Sequence, residues 1–318
     1  MTHALGRRQM LALLATTWAA AARSTPQDDA WHDAAHGRDL PWRLRLPTTP
    51  GPWPLLLHSH GLGGSREGGD VWGQAWAAAG FAVVHLQHPG SDTAALRYGL
   101  AGLRAAVQPE QLVARTRDVA FMLDEIARRG QAGQGPWRDM RLDAIGLSGH
   151  SYGAQTVQAV AGQRFPVSVD LRDPRVKTFI AFSPSSTRVK LSLRQQFGTI
   201  ARPFLAVTGS ADGDPFGSFA DGAPRAAVYE GLPPGQRSLL WLDGADHMSF
   251  AGNGAQRVNG RGWFRRDARA WELEPAHHAL LARVTTLWWR AHLLDDGAAR
   301  AALVQPDGLG ADDRWQQG

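Results

Sequence analysis

A serine between glycines is the residue of this sequence whose surroundings point most directly to chemistry. Residues 149–153 have the sequence Gly-His-Ser-Tyr-Gly, which places Ser151 at the centre of a Gly-x-Ser-x-Gly pattern. This pattern is typical of a nucleophile elbow, a strained turn between a strand and a helix that exposes the serine hydroxyl. An apolar run over 142–147 precedes it, and a proline-free run over 154–161 follows it. The sequence therefore predicts a strand, a turn and a helix, with Ser151 as the nucleophile.

A serine hydroxyl needs a general base, and one histidine has a suitable place in the chain. Residues 238–242 form an apolar run that predicts a strand, and His247 follows within the sequence Asp-Gly-Ala-Asp-His-Met. Of the 12 histidines, His247 alone follows a predicted strand late in the chain. We predict that His247 takes the proton of Ser151 during attack and returns it to the leaving group.

Two carboxylates are candidates to orient that histidine. The apolar run over 203–208 leads into Gly-Ser-Ala-Asp-Gly-Asp, so Asp212 and Asp214 come just past the end of a predicted strand. A carboxylate in this place can accept the second imidazole N–H and stabilise the imidazolium. We predict Asp212 as the acid. Asp214 stays the alternative, although the proline that follows it is typical of a turn.

A glycine-rich segment near the start of the chain is the candidate oxyanion hole. Residues 58–64 have the sequence His-Ser-His-Gly-Leu-Gly-Gly and follow an apolar run. The glycines let the backbone turn sharply, so that the amide of Leu62 can lie beside the amide of Tyr152, the residue after the nucleophile. A turn that merely connects two elements is the alternative interpretation. The segment has neither of the glycine-rich motifs that bind phosphates.

The elements that would position these residues alternate along the chain. Further strands are predicted at 43–46, 55–60, 81–86 and 176–182, and helices at 71–79, 109–129 and 277–294. We therefore predict an α/β fold with a doubly wound, mostly parallel sheet and helices on both faces, in which 43–46 is an edge strand. A single domain is expected over 31–296, with 297–318 as a C-terminal tail. The segments 91–107, 209–236 and 251–275 are predicted as loops, and 91–107 and 251–274 could shape or cover an acyl pocket.

Composition limits the classes of partner and the location. The net charge of +5 is spread along the 318 residues, which argues against a nucleic-acid partner. The chain has no cysteine, which excludes disulfides, thiolate metal sites and a cysteine nucleophile. Arg7, Arg8 and the apolar stretch over 10–22 predict a signal peptide over 1–22 that resembles the twin-arginine type. We expect an exported protein, periplasmic or secreted, without stable membrane insertion after cleavage.

Four segments together resemble a known family. They are 58–66 (His-Ser-His-Gly-Leu-Gly-Gly-Ser-Arg), 88–92 (His-Pro-Gly-Ser-Asp), 149–154 (Gly-His-Ser-Tyr-Gly-Ala) and 243–248 (Asp-Gly-Ala-Asp-His-Met). They are similar to the dienelactone-hydrolase and platelet-activating-factor-acetylhydrolase-like branch of the α/β-hydrolases, and more distantly to bacterial cutinases and polyester hydrolases. The order serine, acid, histidine is also that of this superfamily.

The resemblance covers roughly residues 31–296 and implies an α/β-hydrolase fold. It also implies carboxylester hydrolysis without a metal or cofactor, with the oxyanion bound by the amides of Leu62 and Tyr152. Dienelactone hydrolases use a cysteine nucleophile, and cutinases often have a C-terminal disulfide. Because the chain has no cysteine, the substrate of neither relative carries over.

Other functions stay open at this point. A metal-dependent hydrolase could use His58 and His60, which would lie on one face of a strand, together with His85, His88 and a carboxylate. A non-catalytic binding protein could keep the same fold. The expected substrate is a small or polymeric ester. A lipase, a polyester hydrolase or an amidase would use the same triad, so these enzyme classes stay as alternatives.

Overall fold

The computed structural model describes residues 25–166, 169–186, 190–214, 217–253 and 266–318. The predicted signal peptide and residues 254–265 of the predicted loop over 251–275 lie outside the described residues. Within the described ranges, no helix is both long enough and apolar enough to cross a membrane.

The described residues form strands and helices in alternation. The strands are β1 (Gln27–Asp33), β2 (Arg38–Arg45), β3 (Trp53–Ser59), β4 (Ala82–Leu86), β5 (Met140–His150), β6 (Val176–Phe182), β7 (Phe204–Ala211), β8 (Arg237–Asp246) and β9 (Arg314–Gln317). The helices are α1 (Asp70–Ala78), α2 (Thr93–Leu96), α3 (Gly99–Ala106), α4 (Pro109–Gln131), α5 (Tyr152–Ala161), α6 (Leu193–Phe197), α7 (Ala223–Gly231), α8 (Ala268–Leu293) and α9 (Gly297–Ala302). Two short 3-10 turns are Gly135–Asp139 and His247–Phe250.

All of these strands belong to one sheet, in the order β1-β2-β4-β3-β5-β6-β7-β8-β9. The six strands from β3 to β8 are parallel to one another, whereas β1, β2 and β9 pair antiparallel with their neighbours. The predicted α/β class with a mostly parallel sheet is therefore confirmed. The carboxyl ends of the parallel strands meet at one edge, where the candidate site residues are expected.

Helices cover both faces of this sheet. Successive strand side chains point to opposite faces, so Leu55 of β3 packs into one hydrophobic cluster and Leu56 into another. The first cluster includes Val119 of α4, and the second includes Trp289 of α8. All four side chains are inaccessible to solvent. Burial on both faces explains why the central strands are apolar without alternation.

The ends of the sheet differ from the sequence prediction. The strand predicted at 43–46 is part of β2, which lies between β1 and β4 and is not an edge strand. The sequence did not indicate β1, because most of its side chains are exposed and polar. The segment 297–318, predicted as a tail, contains α9 and β9, and Trp315 of β9 pairs with Leu240 of β8. The sheet therefore extends beyond both predicted domain boundaries.

Several segments predicted as loops contain helices. The segment 91–107 includes α2 and α3, and the segment 209–236 includes α7. Helix α8 begins at Ala268 and carries Pro275 inside it, whereas the sequence predicted a start at 277. A proline inside a helix removes a hydrogen bond and crowds the preceding turn, so sequence patterns favour a boundary there. Packing of α8 against the sheet outweighs that local preference.

Candidate active site

The turn at Ser151 has the backbone conformation of a strained elbow. Strand β5 ends at His150, and α5 begins at Tyr152. Between them Ser151 has φ 56° and ψ −112°, a conformation that residues with a side chain rarely adopt. The structure thus has the strand, turn and helix predicted around this serine, with the helix starting two residues earlier than expected.

The flanking glycines are required because three backbone segments meet at the elbow. A Cβ atom at Gly153 would lie 1.9 Å from the carbonyl oxygen of Ser59, the last residue of β3. A Cβ atom at Gly149 would lie 2.4 Å from the carbonyl oxygen of Gly153. Neither position has space for a side chain. The same closeness brings the loop after β3 to the nucleophile, since a Cβ atom at Gly61 would be 3.4 Å from that of Ser151.

The structure brings Ser151, His247 and Asp212 together in one hydrogen-bonded chain. Nε2 of His247 lies 3.0 Å from Oγ of Ser151, and Nδ1 of His247 lies 2.8 Å from Oδ1 of Asp212. With Nδ1 protonated and bonded to the carboxylate, Nε2 presents its lone pair to the serine hydroxyl. This is the geometry that general-base activation of a serine requires.

Asp212 is held as a buried carboxylate. It comes directly after β7, has no solvent exposure, and its Oδ2 accepts a hydrogen bond of 2.8 Å from the hydroxyl of Thr208. Burial would raise the pKa of Asp212, but the charge of Arg225 and the hydrogen bond from His247 outweigh burial and hold this pKa below its ordinary value. Asp212 is therefore ionised at neutral pH.

The structure does not bring Asp214 to the histidine. Its Oδ2 accepts a hydrogen bond of 3.1 Å from the amide of Ser218, and its own amide donates to the carbonyl of Phe219. These bonds close the loop that follows Asp212. Asp214 thus forms the turn that its neighbouring proline indicated.

The loop that carries His247 is fixed by a capping box, which was not predicted from the sequence. Asp246 accepts a hydrogen bond from the amide of Ser249, and the hydroxyl of Ser249 accepts one from the amide of Asp246. Arg266 pairs with the same Asp246 carboxylate at 3.0 Å. The spacing Asp-x-x-Ser was the available signal, because reciprocal caps recur at this spacing.

His150, at the variable position of the elbow, contacts His247 and holds its main chain in place. Its ring centroid lies 4.7 Å from that of His247, and its Nε2 donates to the main-chain carbonyl of His247 at 2.9 Å. Burial, together with the nearby His247, lowers the pKa of His150 to about 3. His150 is therefore neutral at physiological pH and fixes the backbone of His247 without adding a charge to the site.

The candidate oxyanion loop presents an unpaired amide. In the part of the chain that the structure describes, the Leu62 amide has no hydrogen-bond acceptor, whereas the amide of Gly63 donates to the carbonyl of Ser91 at 2.8 Å. The amide of Tyr152 is at the first position of α5, where no carbonyl of the helix is available to it. Within the described residues, both predicted donors are thus without an acceptor.

The imidazole of His60 orients the peptide that carries the Leu62 amide. Nε2 of His60 accepts a hydrogen bond of 3.0 Å from the amide of His88, so the ring proton is on Nδ1. Nδ1 then donates to the carbonyl of Gly61 at 2.6 Å. Because a trans peptide is planar, fixing the carbonyl of Gly61 also fixes the opposite direction of the Leu62 N–H. Burial lowers the pKa of His60 to about 3, so this tautomer persists at neutral pH.

The four histidines considered as metal ligands form two separate pairs. The rings of His58 and His85 lie 5.3 Å apart, and those of His60 and His88 also lie 5.3 Å apart. Both ring nitrogens of His60 and of His88 are engaged in hydrogen bonds within the protein. Among the described residues, no group of three or more histidine, aspartate or glutamate side chains is arranged to hold a metal ion.

The arrangement has the parts needed for acyl transfer. A hydroxyl bonded to an imidazole can attack a carbonyl carbon, a buried carboxylate can stabilise the resulting imidazolium, and two free amides can bind an oxyanion. All of these parts lie at the carboxyl edge of the parallel strands, after β3, β5, β7 and β8. Comparison of the chain with models of protein families gives no match, and no curated protein matches it either.

Proposed function

We propose that this protein is a serine hydrolase that cleaves carboxylic esters through an acyl-enzyme intermediate. The observation that carries the proposal is the continuous chain from Ser151 through His247 to Asp212, with distances of 3.0 and 2.8 Å. Ser151 is the nucleophile, His247 the general base and acid, and Asp212 the orienting carboxylate.

The fold supports the same proposal. In α/β-hydrolases the serine is on a strand-to-helix turn at the top of the sheet, and the acid and histidine follow later in the chain. Here Ser151 follows β5, Asp212 follows β7 and His247 follows β8. We therefore propose an α/β-hydrolase fold for the single sheet.

The reaction would proceed in two halves. Oγ of Ser151 attacks the ester carbonyl while Nε2 of His247 takes its proton, and Asp212 stabilises the imidazolium by charge and by the Nδ1 hydrogen bond. The tetrahedral oxyanion is bound by the amides of Leu62 and Tyr152. The imidazolium then protonates the leaving alcohol, and the acyl group stays on Ser151. In the second half, water activated by His247 attacks the acyl-enzyme and releases the acid.

The proposed substrate is a small or polymeric carboxylic ester, met outside the cytoplasm after export. Lipids, polyesters and amides share the acyl-transfer chemistry, so they belong to the same substrate panel. The residues of the triad supply all the proton transfers of this mechanism. We propose neither a metal nor an organic cofactor for it.

Labelling and hydrolysis together test the proposal. The wild-type protein is treated with a fluorophosphonate, and the modified residue is identified by mass spectrometry. Hydrolysis of p-nitrophenyl esters of increasing acyl length is followed in parallel. Ser151→Ala should abolish both labelling and turnover, whereas Ser192→Ala, which removes an exposed helix cap on α6, should change neither.

Four outcomes would speak against the proposal. The first is labelling at a residue other than Ser151. The second is ester hydrolysis by Ser151→Ala at the wild-type rate. The third is loss of activity on treatment with a chelator, which would favour a metal-dependent hydrolase. The fourth is absence of turnover with every ester and amide of the panel, which would favour a binding protein.

A further inference from the structure

Arg115 is a buried guanidinium that contacts several segments around the active site. It lies on α4, has no solvent exposure, and donates hydrogen bonds of 2.8 Å each to the hydroxyls of Thr156, Ser91 and Ser59. It also donates to the main-chain carbonyl of His60. These acceptors belong to α5, to the loop after β4 and to the end of β3.

The partners of Arg115 are all neutral. Among the described residues, no carboxylate lies within ion-pair distance of its guanidinium, and Asp118 attracts it only from farther away. Burial lowers the pKa of Arg115 to about 10, so the group is still charged at neutral pH. A buried charge without a contacting counter-ion costs folding stability. Stability alone therefore does not account for an arginine at this position.

The first pair of contacts fixes the peptides on both sides of Leu62. Arg115 donates to the carbonyl of His60, two residues before Leu62, and to the hydroxyl of Ser91. The carbonyl of Ser91 in turn accepts the amide of Gly63 at 2.8 Å. One guanidinium thus holds the chain on either side of the Leu62 amide, in addition to the bond from His60 to the carbonyl of Gly61.

The second pair of contacts reaches the other amide. The guanidinium carbon of Arg115 lies 4.6 Å from the centre of the Tyr152 ring, a cation–π distance. The hydroxyl of Thr156, which accepts from Arg115, donates to the carbonyl of Tyr152 at 3.1 Å. The first turn of α5 and its leading amide are therefore fixed by the same side chain.

We propose that Arg115 is the positioning residue of the oxyanion hole: it holds the amides of Leu62 and Tyr152 in a fixed relation to each other. The proposal rests on the proposed serine hydrolase function. Arg115 has no solvent exposure, so its guanidinium does not contact a substrate. Its effect is preorganisation, which places two donors where charge develops and avoids their rearrangement during the reaction.

A buried chain of side chains supports Arg115. Oγ of Ser59 lies 2.9 Å from Nε2 of His88, and Nδ1 of His88 lies 2.8 Å from Oδ2 of Asp118, which also pairs with Arg38. These are the residue types of a catalytic triad, but Ser59 is inaccessible to solvent and accepts a hydrogen bond from Arg115. This series of hydrogen bonds orients the hydroxyl proton of Ser59 toward His88, so that Oγ of Ser59 is left as an acceptor for Arg115.

The test separates transition-state stabilisation from substrate binding. Arg115→Met should lower kcat by about tenfold to a hundredfold, since loss of one oxyanion donor costs on the order of 10² to 10³. KM should change less than about threefold, because the oxyanion exists only in the transition state. Affinity for a boronate that mimics the tetrahedral intermediate should fall by the same factor as kcat. The pH at which the rate is half-maximal should not move, because the triad is intact.

The controls address folding and stability. Rates are expressed per site labelled by a fluorophosphonate, which removes the unfolded fraction from the comparison. Arg115→Lys keeps the charge but has one nitrogen for four acceptors, so its kcat should fall between those of the wild type and Arg115→Met. Ser91→Ala removes one acceptor only and should give a smaller loss. Arg175→Met removes a half-buried arginine paired with Asp173 away from the site, and should affect thermal stability alone.

The outcomes are distinguishable. If kcat per labelled site is unchanged in Arg115→Met, or if only KM rises, Arg115 has no part in positioning the oxyanion hole. If Arg115→Met does not fold, unchanged kcat and boronate affinity in both Arg115→Lys and Ser91→Ala lead to the same conclusion. If the wild-type protein neither labels at Ser151 nor turns over an ester, the proposed function itself fails, whatever the variants do.

Discussion

Arg225 and Asp212 form a buried ion pair beside the candidate catalytic histidine. Nε of Arg225 lies 2.9 Å from Oδ1 of Asp212, the same oxygen that His247 contacts. Arg225 also donates to the main-chain carbonyls of Asp212 and Ser183. One arginine therefore counters the effect of burial on the carboxylate and fixes the turn that carries it.

Removing this arginine should shift the pH dependence of the reaction. Burial raises the pKa of Asp212 and the charge of Arg225 lowers it, so Arg225→Met should raise this pKa relative to the wild type. A protonated Asp212 cannot stabilise the imidazolium. We therefore expect the acid limb of kcat/KM to move to higher pH in Arg225→Met, while Arg225→Lys, which keeps the charge, should show a smaller shift.

The pH dependence of protein stability should change in the same direction as that of the rate. In the wild type the lowered pKa of Asp212 means that its ionisation stabilises the fold above the ordinary aspartate pKa of about 4, and that this contribution is lost as pH falls through the lowered value. In Arg225→Met the higher pKa of Asp212 should reduce this contribution and move its loss to higher pH. Melting temperatures measured from pH 3 to pH 8 check this. An acid limb and a melting profile parallel to those of the wild type would contradict the role assigned to Arg225.

The two aspartates after β7 should differ strongly in their effect on turnover. Asp212→Asn leaves the shape of the site but takes away the charge that orients His247, and a change of this kind in a serine triad costs about 10⁴ in kcat. Asp214→Asn affects a turn about two residues away and should change kcat by less than about twofold. Steady-state rates of both variants with one p-nitrophenyl ester decide between them. Comparable losses of kcat in both variants would mean that turnover depends on the conformation of this loop and not on the charge of Asp212.

The location of the candidate site residues was predictable from the sequence, because a parallel sheet places the residues that follow its strands at one edge. An apolar run followed by Ser151, Asp212 or His247 can be recognised without knowing the contacts between these three residues. The confirmed α/β class follows from the same runs. The ends of the sheet were not predictable, since β1 is mostly polar and exposed and β9 is four residues long.

The supporting residues were not predictable, because their roles come from contacts between distant parts of the chain. Arg115 meets Ser59 across 56 positions, and nothing in the local sequence of α4 marks that contact. His60 stood in the sequence as half of a His-x-His pair, which is typical of metal ligands. Its function as a hydrogen-bond donor to Gly61 depends on a proton position set by the amide of His88.

The glycine after the nucleophile offers a test of packing at the elbow. Gly153→Ala would place a Cβ atom 1.9 Å from the carbonyl of Ser59, so β3 or α5 must shift. Such overpacking costs on the order of 1–3 kcal/mol of unfolding free energy, and the shift should also disturb the amide of Tyr152. Gly297→Ala is the matched control, because no atom lies within 4 Å of the position of its Cβ. Urea unfolding and esterase rates should both fall for Gly153→Ala only; equal effects of the two substitutions would contradict the packing argument.

The buried histidines should make the fold sensitive to mild acid. Burial lowers the pKa of His60 and His150 to about 3 and that of His85 to about 4, so the folded protein keeps these rings neutral. The unfolded chain protonates them below about pH 6.5, the ordinary histidine value. The unfolded state then binds more protons, and the free energy of unfolding falls as pH drops from 6.5 toward 4, by up to about 1.4 kcal/mol per pH unit for each histidine.

Single substitutions can show how much each histidine contributes to this change of unfolding free energy with pH. His150→Phe removes one buried titrating ring, so urea unfolding at pH 7 and pH 5 should show a smaller loss of stability than in the wild type. His32→Phe is the control, since His32 is exposed and pairs with Asp39 at the surface. Its slope should stay close to that of the wild type, because this substitution leaves every buried ring in place. A wild-type stability that does not change between pH 7 and pH 5 would mean that the buried rings are protonated in the fold, and the neutral tautomers assigned to His60 and His150 would then be wrong.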